Sequence, residues 1–268
     1  MGEGSNILPR PMRRAVAASL LLALAACSKH VTLGGEAKLL PTAEENYQAG
    51  QELLKEASYP EAQKFFEYIR TKFPFSKYAA LSDLRLADAK YAQGHYGEAA
   101  DAYGQFIQLH PAHEEIDYAE FRQGESLFRD APSDFFLFPP AYEKDLKQVR
   151  KAADALKKFV EKYPKSKYLP DAKKLLVQAQ GRLAANDWYV AEFYFKRSQW
   201  AGAAGRYETL VEKYPGSKHE VEALMKLARA AVQLKEPYRA RTALQKLIVE
   251  HPNDPRRPEA EKMLASLR

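Results

Sequence analysis

The chain has 268 residues, 46% apolar and 28% charged, with 13 Gly, 16 Pro, one Cys and a formal charge of +6. This length and apolar content suit one large domain or two smaller ones and exclude a disordered or collagen-like chain. One cysteine excludes an intramolecular disulfide framework, a Cys-rich zinc site and a CxxC redox pair. The excess charge is thinly spread, so no nucleic-acid partner follows from it.

Arg13 and Arg14 precede Ala15–Ala26, an apolar run of Ala, Leu, Val and one Ser. A basic start, an apolar stretch of this length and small residues before a cut site predict a secretory signal over residues 1–26. The run is shorter than the roughly 20 residues a spanning helix needs. Met12 is an alternative start, because Met1–Pro11 lacks signal character. Leu24-Ala25-Ala26-Cys27 resembles a bacterial lipobox, which implies lipidation of Cys27, the chain's only cysteine. Several acyl chains on one residue suffice for stable anchoring. Ser28 follows, and lipoproteins without Asp at that position imply sorting to the outer membrane. Residues 27–40, with Gly34-Gly35, read as a short lipidated tether.

Beyond residue 40 a repeat emerges. Five segments end in Pro74, Pro111, Pro164, Pro215 and Pro252. Twelve residues before each proline stands Ala62, Ala99, Ala152, Ala203 or Ala240. Eight before stands a large residue: Phe66, Tyr103, Leu156, Tyr207 or Leu244. Five before stands Ile69, Phe106, Phe159, Leu210 or Leu247. Offsets of four and three place these on one helical face. In four units another small residue, Gly50, Ala87, Ala191 or Ala228, lies twelve further upstream. Small residues where two helices cross, a bulky knob beside them and a terminating proline form the tetratricopeptide (TPR) pattern.

The predicted helix pairs are Thr42–Ala57 with Tyr59–Phe73, Lys77–Gln93 with Tyr96–His110, Glu114–Arg129 with Lys144–Tyr163, Leu169–Arg197 with Trp200–Tyr214, and Lys218–Lys235 with Tyr238–His251. Thr42 and Glu45 have capping-box spacing, and Pro258–Leu267 reads as a capping helix. The third unit has 16 extra residues, including the apolar Phe135-Phe136-Leu137-Phe138, which either folds back on the solenoid or hooks a partner. The fourth has 14 extra residues without proline, which predicts one long helix. The fold class is therefore all-α: a solenoid of five TPR-like hairpins in two lobes, residues 41–165 and 166–268, joined by that helix.

Enzymatic patterns are nearly missing. The six His are dispersed, none in an HExxH arrangement, and neither a phosphate loop nor GxSxG occurs. No catalysis, cofactor or metal is expected. What remains is surface: a TPR groove suits extended or helical peptides, and Tyr47, Tyr68, Phe73, Phe75 and Tyr78 cluster in the first repeat.

The lipobox, five repeats, long helix, Phe73-Pro74-Phe75-Ser76-Lys77-Tyr78, Ile116-Asp117-Tyr118, Tyr163-Pro164-Lys165-Ser166-Lys167-Tyr168 and the Val190–Arg206 stretch together resemble the BamD (ComL) family. That family comprises TPR lipoproteins of the outer-membrane β-barrel assembly machinery, and the likeness covers essentially all of the mature chain. The resemblance implies a non-enzymatic adaptor, anchored to the outer membrane and facing the periplasm. It implies that the N-terminal repeats recognise targeting segments of unfolded barrel proteins, with Phe73 at the family's aromatic position and Phe75, Tyr78 and Tyr47 around it. It implies docking of the C-terminal repeats on the POTRA region of a BamA-type barrel subunit through Arg206, flanked by Arg197 and Lys196, beside other assembly lipoproteins. On that expectation Arg206→Ala weakens docking without unfolding the solenoid. The alternative is another periplasmic TPR scaffold, such as a Tol–Pal or cell-division coordinator; a peptidoglycan-active enzyme lacks a catalytic constellation.

Overall fold

Local capping decides where the first helix begins. The Thr42 hydroxyl accepts the Glu45 backbone N–H while the Glu45 carboxylate accepts that of Thr42. Losing such a cap costs about 1 kcal/mol. The structure, a computed structural model, describes residues 39–132 and 145–267. Cys27, the tether and Phe135–Phe138 lie outside the described residues.

Eleven helices and no strands occur among the described residues: α1 (Ala43–Lys55), α2 (Tyr59–Lys72), α3 (Lys77–Ala92), α4 (Tyr96–Leu109), α5 (Ile116–Asp130), α6 (Lys147–Lys162), α7 (Leu169–Phe195), α8 (Trp200–Lys213), α9 (Glu220–Gln233), α10 (Pro237–Glu250) and α11 (Arg257–Ser266). Each packs on the next, and α1 also touches α3, and α5 also touches α7. Such nearest-neighbour stacking of hairpins is a TPR-like α-solenoid. α7 has 27 residues, roughly 40 Å at 1.5 Å per residue. No helix among the described residues is long and apolar enough to cross a membrane.

The repeat's spacing becomes packing. All five alanines (Ala62, Ala99, Ala152, Ala203, Ala240) and all five knobs (Phe66, Tyr103, Leu156, Tyr207, Leu244) are 0% exposed. The facing residues have to be small. A Cβ at Gly50 would lie 2.8 Å from the Phe66 ring, and one at Gly124 would lie 2.9 Å from Leu156 Cδ2. From Phe128 and Val149 to Ala260 the buried side chains form one continuous core.

The proline corners share one geometry. Phe73, His110, Tyr163, Tyr214 and His251 each cap a second helix with φ near −125° and ψ near 55°. Each donates its N–H to the carbonyl four residues back: Ile69, Phe106, Phe159, Leu210 and Leu247. The following proline disfavours α-conformation at these residues.

Several helix ends differ from expectation. α5 starts at Ile116 rather than Glu114, because Glu115 is its N-cap. α6 starts at Lys147, and Lys144 lies outside the described residues. α7 stops at Phe195 instead of Arg197. There Ser198 takes φ of 56°, and its N–H and that of Gln199 bond back to Phe195 and Tyr194, a left-handed helix ending. Lys196 is thus the C-cap, and Arg197 lies in the turn.

Candidate functional site

The first hairpin places its aromatic residues in two different settings. Tyr47 on α1 is half-buried, its ring edge-on to Phe66 at 5.9 Å and 5.2 Å from Tyr78 on α3. Phe73 packs on the same apolar cluster and meets Tyr68 edge-on at 5.8 Å. Phe75 is different: it stands fully exposed, 101% against its reference, at the α2–α3 corner. It shares a shallow depression with Arg70, Lys77, exposed Leu109 and His110. The structure therefore brings Tyr47, Tyr78 and Phe73 into one packed cluster and leaves Phe75 projecting.

A polar strip runs from this cluster across the first helices of three hairpins. Arg85 on α3 donates to Asp88 at 2.6 Å, to both oxygens of Glu115 at 2.6 and 2.7 Å, and to the Tyr47 hydroxyl at 3.1 Å. Asp88 Oδ1 in turn accepts the hydroxyls of Tyr103 at 2.5 Å and Tyr118 at 2.8 Å. Arg122 on α5 lies 3.5 Å over the Tyr91 ring and bonds Glu125, as does Arg129.

The strip's charges hold one another in their ionised forms. Burial disfavours the Arg85 cation, but Asp88, Glu115 and Tyr47 outweigh it and raise its pKa. Burial and Asp88 push the Tyr103 and Tyr118 hydroxyls up, so both remain donors. Burial and Glu125 push Tyr91 up to about 12. Burial would raise Glu125, yet Tyr91, Arg122 and Arg129 hold it below its ordinary 4.5. Such a face offers fixed donors, acceptors and aromatic edges rather than a reactive group.

Sequence reasoning missed this strip, although a signal was available. Arg85 and Arg122 stand two residues before the small residues Ala87 and Gly124, and Asp88 and Glu125 one after them. The same register recurs in the second half. Glu192, one after Ala191, accepts from the Tyr207 hydroxyl and from Lys226, two before Ala228. Burial would raise Glu192, but Lys226 and Tyr207 outweigh it and lower it. Lys226 Nζ also lies 4.8 Å from the Trp188 ring, which stacks on His219 at 4.7 Å.

The three cations expected to dock are scattered in role. Arg206 on α8 donates to Asp187 on α7 at 3.0 Å, so it already has an internal partner. Arg197 lies 3.6 Å over the exposed ring of Phe193 and bonds its carbonyl at 3.1 Å. Lys196 is exposed beside it. Phe193 and Arg197 together form a projecting aromatic–cation pair that composition alone did not reveal. Between α5, α7 and the α8–α9 turn lies a groove of about 770 Å³, lined among others by Phe128, Val177, Gly181, Arg182 and Tyr214.

The family described as YfiO, outer membrane lipoprotein, matches residues 41–247. A curated relative from Neisseria meningitidis serogroup B, named outer membrane protein assembly factor BamD, is 32% identical over 88% of this chain and 90% of its own length. One of the same name from Xylella fastidiosa is 27% identical over 78% of this chain and 72% of its own. Among solved structures, the TPR2AB-domain:pHSP90-complex of yeast Sti1 matches 84% of this chain and 82% of its own at 17% identity, with a TM-score of 0.40.

Proposed function

The chain belongs to the YfiO family of outer membrane lipoproteins, and from that premise we propose that it is a non-enzymatic adaptor in assembling β-barrel proteins into the outer membrane. Lipidated Cys27 tethers it to that membrane on the periplasmic side. Its first hairpins engage the aromatic-ended targeting segment of an unfolded barrel protein. The turn after α7 docks the POTRA region of a BamA-type subunit.

One observation carries the reading. Two exposed aromatic features, Phe75 with Leu109 at one corner and Phe193 under Arg197 at another, coincide with residues expected to meet the two partners. Phe75 supplies apolar contact without a hydroxyl, and the polar strip beginning at Tyr47 and Arg85 supplies donors and acceptors for an extended backbone. Arg197, planar and held flat by Phe193, suits a carboxylate on the partner.

Photo-crosslinking in membranes tests both halves. A photoreactive residue replacing Phe75 is expected to capture unfolded barrel protein, and one replacing Arg197 to capture the POTRA-bearing subunit. Capture of neither, with Tol or division proteins recovered instead, overturns the reading. Mass spectrometry of the mature N-terminus tests the anchor: an unmodified Cys27 with the leader attached removes it.

A further inference from the structure

Glu220, Glu250 and His251 converge at the open end of the fifth hairpin, away from both proposed partner sites. Glu220 begins α9, Glu250 ends α10, and His251 caps α10. One ligand atom from each lies within 4.8 Å of the other two. Their burial differs in a useful way. Glu220 is 2% exposed, whereas the Glu250 side chain is 50% exposed and leaves the cluster open to solvent on one side.

The buried atoms are incompletely satisfied. Glu220 Oε2 accepts the Gly216 N–H at 2.6 Å, which fixes the carboxylate. Its other oxygen, Oε1, is buried without a hydrogen-bond partner, and so is His251 Nε2. His251 Nε2 lies 3.5 Å from Glu220 Oε2. Buried polar atoms are almost always bonded, so an orphaned carboxylate oxygen and an orphaned imidazole nitrogen in one cluster require an account. Lys246 does not supply one. Its Nζ donates to the Val211 carbonyl at 2.8 Å and stays 3.6 Å from Glu220 Oε1 and 3.8 Å from Glu250 Oε2. It balances charge without making the missing bond.

We propose that Glu220, Glu250 and His251 form a binding site for a zinc-like divalent cation. One imidazole nitrogen and two carboxylate oxygens, completed by water, match the four-coordinate N/O preference of zinc. The imidazole nitrogen disfavours magnesium and calcium, whose shells are nearly all oxygen. Ligand bonds of about 2.0–2.2 Å require the three groups to draw inward. The half-exposed Glu250 and the flexible Lys246 stem accommodate that movement. Gly216 N–H orients Glu220 from behind, the role that outer-shell hydrogen bonds play at metal sites. Bound there, the ion ties the start of α9 to the end of α10.

Calorimetric titration of the full-length protein, purified without a polyhistidine tag, tests this with zinc chloride and magnesium chloride. One saturable zinc site, no magnesium site and a zinc-dependent rise in unfolding midpoint are expected. Glu250→Gln, on an exposed stem that the fold does not need, should weaken zinc at least tenfold, and His251→Gln likewise. Lys246→Met removes the competing charge and should tighten binding. No saturable zinc binding, or affinity unchanged in both Glu250→Gln and His251→Gln, overturns the proposal.

Discussion

Arg206 on α8 reaches across to Asp187 on α7, Nη1 to Oδ1 at 3.0 Å, and the Asp187 side chain is only 5% exposed. The pair is therefore lopsided: a half-exposed cation covers a carboxylate that water cannot reach. Removing the arginine strands the acid, and a buried group left without its partner costs about 1–3 kcal/mol. Arg206→Ala is expected to lower the unfolding midpoint and weaken recovery of the POTRA-bearing subunit together. Adding Asp187→Asn should restore much of the stability but none of the docking. If the double variant regains docking as well, Arg206 serves the fold and not the partner.

Phe73 and Phe75, two residues apart, are expected to behave oppositely. Phe73 packs on the first hairpin's apolar cluster, so Phe73→Ala should destabilise the chain measurably in urea. Phe75 is fully exposed, and Phe75→Ala should leave the urea midpoint unchanged while reducing capture of unfolded barrel protein. A Phe75→Ala chain that captures substrate normally would take that corner out of the recognition surface.

Gly50 tests the crossing itself. An added Cβ would sit 2.8 Å from the Phe66 ring, and overpacking of this kind costs about 1–3 kcal/mol. Gly50→Ala should destabilise by that order in chemical unfolding, and Phe66→Leu should partly rescue it by drawing the knob back. Equal stability of Gly50→Ala and the parent would show that the two helices separate freely.

Acid should weaken the fold in two steps. His219 is pushed below its ordinary 6.5 by burial and by Lys218, so the unfolded chain takes up that proton first and stability falls as pH drops through and below 6.5. Glu125 and Glu192 are held below their ordinary 4.5. Their contribution is complete above that value and is lost as pH falls further. Unfolding midpoints measured from pH 8 to pH 3 should show both declines, and His219→Phe should remove the first alone. A flat profile between pH 7 and 5 in the parent would rule out the histidine's part.

Much of the fold was legible because its determinants are local. The alanine, knob and proline offsets follow from helical periodicity, and the structure buries every one of those alanines and knobs. The capping box at Thr42 and Glu45 and the long α7 follow equally from neighbouring residues. Helix ends were less legible. Lys196 and Arg197 read as helical until the left-handed turn at Ser198 removed them. The polar strip was visible only as residues two before and one after a small residue, a register that shows position but not partner.

The sequence by itself determined that five hairpins stack, which side chains point between their helices, and where each corner turns, because those properties depend on residues three to twelve apart. Which cation meets which carboxylate was decided only in three dimensions. Arg85 finds Glu115 thirty residues away and Lys226 finds Glu192 thirty-four away, and Arg206 spends its charge on an acid inside its own hairpin. A charged residue's partner depends on the rotation of one helix against the next, and that angle is set by how all the buried side chains fit together, not by spacing along the chain.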